Sequence, residues 1–177
     1  MKSKIIRNDF DGLNNFVKGV STKKVVKVGI FGEKNARPRG DITNAEIGAK
    51  HEFGEGRVPM RSFLLMPILH EMGQILKDIK SAGVGKAIEA GKTDIVLKNI
   101  GVACEAAIDR AFGSDGFGEW APLAPSTIAR KLGRGLSLHQ RKQLLAEVTL
   151  EGASGIVSLL IDRGFLRKSI ASKVGTP

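Results

Sequence analysis

The side chains best suited to chemistry are few. The chain has three histidines, His51, His70 and His139, and one cysteine, Cys104. His51-Glu52 and His70-Glu71 begin like the helical zinc-protease pattern, but neither has the second histidine that pattern needs four residues on. A zinc site would have to gather ligands from distant loops, so packing or surface roles are favoured for all three. A single cysteine excludes an internal disulfide framework and an all-cysteine metal site. Cys104 lies on an apolar helical face and reads as a small buried hydrophobe. Gly83-Val84-Gly85-Lys86 has the look of a phosphate loop. It lacks the upstream glycine, and Ala87 stands where a magnesium-binding hydroxyl is required. It reads as a helix–helix turn. In Gly152-Ala153-Ser154-Gly155 the second glycine comes one position too early for a nucleophile elbow. Asp115 and Glu119 offer too few alternating oxygens for a calcium loop. These residues predict no enzyme, no cofactor and no metal.

Three other segments are more distinctive than their surroundings. The first runs through His51-Glu52-Phe53-Gly54 to Pro59, Arg61 and Phe63. Arg61 and Phe63 alternate along an extended linker, which lets Phe63 anchor in a core while Arg61 faces elsewhere. The second holds Trp120, Pro122, Leu123, Thr127 and Lys131. The third holds Ile161, Asp162, Gly164, Leu166 and Ser169, with Arg167 and Lys168 inside it.

The elements that must position them follow from periodicity. Phe10, Leu13, Phe16, Val17 and Val20 predict a short amphipathic helix over residues 9–20. Lys23 to Phe31 alternates as a strand, with Val26, Val28 and Ile30 on one face. Residues 32–41 include Lys34, Arg37 and Arg39 among Gly and Pro, and predict an exposed loop or hairpin arm. Thr43 or Asn44 can cap a helix reaching Glu52, with Gly54 as its stop. Leu65, Ile68, Leu69, Met72, Ile75, Leu76 and Ile79 predict one core helix, with Pro67 acceptable only near its first turn. A second long helix is predicted from about Thr93 to Phe112, with Leu97, Ile100, Cys104, Ile108 and Ala111 inward and small residues allowing close helix–helix approach. Ser126-Thr127 would cap a short helix. Residues 133–158 read as an insertion with a helix around Gln140–Val148. The expected fold is a single α+β domain over residues 1–177. In it two long helices pack on a small, mostly antiparallel sheet. Residues 23–31 supply one strand, and residues 52–60 or the segment after Gly164 supply others.

Composition narrows the class. With 177 residues, 42% hydrophobic and 26% charged, the chain is balanced like a soluble globular protein. No apolar run reaches the roughly 18 residues of a membrane span. The first residues lack an apolar signal core, so neither membrane insertion nor export is expected. The net charge is +10. Residues 1–60 hold 12 basic and 7 acidic side chains, residues 61–120 hold 7 and 8, and residues 121–177 hold 9 and 3. Basic ends favour polyanionic neighbours. With 5% aromatics and no Tyr, a stacking single-strand binder is disfavoured.

In their joint order, the three segments resemble the neck and tail-completion proteins of tailed bacteriophages, including virion morphogenesis and minor tail proteins. Those carry an E-F-G turn, then P-x-R-x-F opening a long helix, then W-x-P-L followed by T-I-x-x-K, then L-I-D-T-G-x-L-x-x-S-I. The likeness spans residues 49–170, with Arg163 where Thr is usual. It implies a structural protein that assembles as a ring, commonly of six, in the virion neck after assembly in the host cytoplasm. The implied partners are further copies of the chain, the head connector or adaptor, the tail tube or terminator, and packaged DNA passing through the lumen. Lys34, Arg37, Arg39, Arg167 and Lys168 are then candidates for subunit contacts or for screening phosphates without reading sequence. The competing readings are a basic DNA-binding accessory or regulatory module, and a small hydrolase built on His51 or His139 with an acid. The first lacks a helix-turn-helix, zinc or ribonucleoprotein signature.

Overall fold

A computed structural model describes residues 23–37, 41–133, 137–147, 159–160 and 164–177. The predicted 9–20 helix lies outside them, as do Arg39, Ile161 and Asp162. The fold is α+β. Strand β1, Val25–Ile30, pairs antiparallel with β2, Ile170–Gly175, in a register running from Val25 opposite Gly175 to Ile30 opposite Ile170. The C-terminal segment is therefore the partner that β1 requires. Residues 52–60 do not join the sheet. Glu52 and Phe53 are helical, and residues 55–58 form a tight turn closed by a bridge between Glu55 and Val58.

Helix α1, Asn44–Phe53, starts with a capping box: Thr43 Oγ1 accepts from the Glu46 amide at 3.2 Å, and Glu46 accepts from the Thr43 amide at 2.6 Å. Gly54 ends it at φ 74°, a conformation open to glycine, and an added Cβ would press on the Met60 backbone. Residues 32–37 do not project as an arm. Gly32–Asn35 is a 3-10 turn bound to the start of α1. Asn44 Nδ2 donates to the Lys34 carbonyl, and Asn35 Oδ1 accepts from the Ala45 amide.

The 65–79 stripe is two helices, α2, Leu65–His70, and α3, Met72–Ser81, parted at Glu71. The Glu71 amide still donates to Pro67 and the Ile75 amide to Glu71, so the spacing of side chains carries across the break. Pro67 occupies the first turn, where its missing N–H leaves no bond unmade. Gly83, in the left-handed conformation, links α3 to the short α4, Val84–Glu89. Helix α5, Thr93–Gly113, is the spine, and both strands, α2 and α3 pack on it. Its small residues admit the sheet as well as helices. A Cβ on Gly101 would sit 2.3 Å from Ser172 Oγ of β2. Helix α6, Pro125–Leu132, begins at Pro125 itself, so Ser126 and Thr127 lie in its first turn and Ala124 holds the cap position. Helices α7, Leu138–Glu147, and α8, Phe165–Ser169, complete the described elements.

The core lies between α5, the sheet and the 59–66 linker. Phe63 and Phe112 meet edge-on with centroids 5.7 Å apart, and Phe112 meets Trp120 likewise at 5.6 Å. Ile108, Ala111 and Leu166 close this cluster, and Ile75, Cys104 and Ala107 form a second one along α5.

Candidate functional site

The three sequence segments converge. Glu52, near the end of α1, is buried, and its carboxylate accepts four hydrogen bonds from the linker that leads into α2. The Phe63 and Leu64 amides donate to Oε2 at 2.8 and 2.9 Å; the Leu65 amide and Ser62 Oγ donate to Oε1 at 3.0 and 2.7 Å. A carboxylate suits this place because the first amides of a helix have no partner within it. Trp120 Nε1 donates to the Ser62 carbonyl at 3.0 Å.

Arg61 does face away from Phe63, yet it points into the protein and is only 4% exposed. Its Nε donates to the Ala121 carbonyl at 2.7 Å and its Nη2 to the Pro122 carbonyl at 2.8 Å. Burial lowers its pKa. The guanidinium fork thus ties the first segment to the second through uncharged acceptors. From the third segment, Leu166 enters the same core, Ser169 Oγ donates to the Leu166 carbonyl at 2.6 Å, and Gly164 opens α8 at φ 72°.

Where the segments meet there is a cleft of about 730 Å³. Arg37, Arg57, Arg61, Arg130 and Lys131 line it, together with His51. Apolar side chains, among them Val58, Pro59, Leu123 and Phe165, form its walls. No carboxylate is among the described lining residues. Arg37 donates to Asn44 Oδ1 at 2.9 Å and lies over the Phe165 ring at 5.4 Å. Arg57 and Arg130 are exposed at the rim. His51 Nδ1 is buried without a hydrogen-bond partner among the described residues. Burial, with Arg61 and Lys131 adding to it, holds the His51 pKa below its ordinary value, so the ring is neutral near neutral pH.

The remaining candidates are dispersed. Phe53 projects into solvent beside the Gly54 turn. Pro59, Pro122, Thr127 and Lys131 line the cleft, and Lys34 and Lys168 are exposed. Arg167 is paired with Asp109 of α5 at 2.5 and 2.7 Å, leaving Lys168 as the outward cation of the two. The His70 ring stacks on Phe117 at 4.2 Å, and burial raises the Cys104 thiol pKa. Glu52 turns toward amides, not toward His51, so the two do not form a dyad. Among the described residues, no three of His, Cys, Asp and Glu gather as a metal site, and no helix is long and apolar enough to cross a membrane.

Two features escape sequence reasoning. Arg57 and Arg130 join the cleft without any motif of their own. Four members of the predicted core stripe stay outside: Leu65 is 60% exposed, Leu69 60%, Met72 39% and Leu76 50%. Comparison with known protein families, curated proteins and solved structures yields no match.

Proposed function

We propose that the chain is a structural virion protein of a tailed bacteriophage, a ring-forming neck or tail-completion subunit that joins the head connector to the tail. The observation that carries the assembly part is the exposed row of Leu65, Leu69, Met72 and Leu76. Their spacing of four, three and four residues is that of a helix–helix seam. Apolar side chains in such a row favour a protein partner over water, and a second copy of the chain is the occupant that builds a ring.

The resembling motifs supply the choice of assembly. Their polar members Glu52, Arg61 and Trp120 are spent on internal bonds, as suits a rigid building block with no turnover. The basic ends then lie beside packaged DNA and screen its phosphates without reading its sequence. Electron microscopy of the purified chain tests the reading. Closed annular particles with a lumen wide enough for duplex DNA are expected. Open chains or irregular aggregates would count against it.

A further inference from the structure

We propose that the cleft between the Gly54 turn, α6 and α8 is a docking site for an extended acidic segment of another protein, with its carboxylates on the Arg57 and Arg130 guanidiniums and its apolar side chains between Pro59 and Leu123. This rests on the cleft itself and stands whether or not the chain forms a ring.

Charge is the first argument. Arg37, Arg57, Arg61 and Arg130 share one concavity whose described lining holds no carboxylate. Like charges gathered this way repel one another, and an anion relieves the repulsion. Arg61 has its fork taken by the Ala121 and Pro122 carbonyls, yet its charge remains uncompensated among the described residues. Arg57 and Arg130 have no hydrogen-bond acceptor among them, so their forks are open to a carboxylate.

His51 is the second argument. Its buried Nδ1 has no partner among the described residues, and its ring lines this same cleft. A buried polar atom left unpaired is costly, and a bound segment relieves that cost if the ring turns to present Nδ1 to the cleft.

Shape decides among anions. A volume of about 730 Å³ with apolar walls fits a few residues of an extended chain. A nucleic acid duplex presents its phosphates on a convex rod far too broad to enter. The apolar walls of Val58, Pro59, Leu123 and Phe165 give such a strand nothing to bury, whereas they suit alternate side chains of a peptide.

The test uses the full chain and a fluorescein-labelled peptide alternating Asp and Leu, followed by anisotropy at low salt. Saturable binding is expected. It should weaken about tenfold or more in the R57E/R130E double variant. It should be little changed in K77E/K86E, which alters the net charge equally on exposed sites of α3 and α4 away from the cleft. Thermal melts matching wild type establish that each variant is folded. The proposal is overturned by equal binding of the peptide with Asn in place of Asp. Equal loss in K77E/K86E, or no saturation below about 1 mM, would overturn it too. Displacement of the peptide by duplex DNA, with both ligands lost in R57E/R130E, would overturn it in favour of a nucleic acid site.

Discussion

Glu52 is the residue whose replacement should cost the fold most for its size. Its carboxylate takes three backbone amides and one hydroxyl, and among the described residues it is the only acceptor of the Phe63, Leu64 and Leu65 amides. In Glu52→Ala the buried Phe63 amide is left unpaired, at about 1–3 kcal/mol. The other three donors are partly buried and recover some water, at about 0.5–1.5 kcal/mol each. The sum is about 2.5–7.5 kcal/mol, a large share of the roughly 5–15 kcal/mol that holds a domain together. Glu52→Gln should cost less, about 1–3 kcal/mol. Its carbonyl can replace Oε2 for Phe63 and Leu64, but its amino group then faces the Leu65 N–H. Glu55→Gln is the control, because the 3.4 Å Lys50–Glu55 pair is exposed and worth about 0–1 kcal/mol. Urea unfolding monitored by Trp120 fluorescence gives the order Ala, Gln, control in decreasing cost. A Glu52→Ala variant within about 1 kcal/mol of wild type would refute the reasoning.

Further outcomes follow from the same contacts. Gly101→Ala should lose about 1–3 kcal/mol by driving its Cβ into Ser172, and Ser172→Gly in the same chain should restore part of the melting temperature. Arg61→Lys keeps the charge but cannot span the Ala121 and Pro122 carbonyls, so urea unfolding should show a loss of about 1–3 kcal/mol. His51 has a folded pKa below the 6.5 of the free side chain, so the unfolded chain binds its proton first as pH falls. Its contribution is therefore complete above pH 6.5 and is lost as pH drops through the lowered folded value. The slope of stability against pH in that window should flatten in His51→Gln, and an unchanged slope would remove His51 as its source.

Much of the frame is legible in the sequence because its causes are local. The Thr43–Glu46 capping box, the alternation of Val26, Val28 and Ile30, and the long α5 period each involve neighbours along the chain. The partner of β1 is also foreshadowed by the segment after Gly164. The role of Glu52 is not legible, because its partners are amides more than ten residues away and amides carry no sequence signal. Arg61 shows the same limit: alternation says that it leaves the Phe63 face, but not that carbonyls 60 residues on receive it. The 65–79 stripe overstates the core because Leu65 and Ile75 carry the same apolar signal whether the face they occupy meets this chain or another. Residues 32–41 read as an exposed loop or hairpin arm because the side chains that hold the described part, Asn35 and Asn44, look like ordinary loop and cap residues.

The assembly claim is tested most directly by light-scattering mass of the purified chain and of Leu69→Glu/Leu76→Glu, with and without duplex DNA at low and high salt. One discrete oligomer is expected for the wild type, about six times the 18.9 kDa chain, unaltered by DNA, and a folded monomer for the variant. A wild type that stays monomeric up to about 100 μM, or a variant with the same mass as wild type, would contradict it.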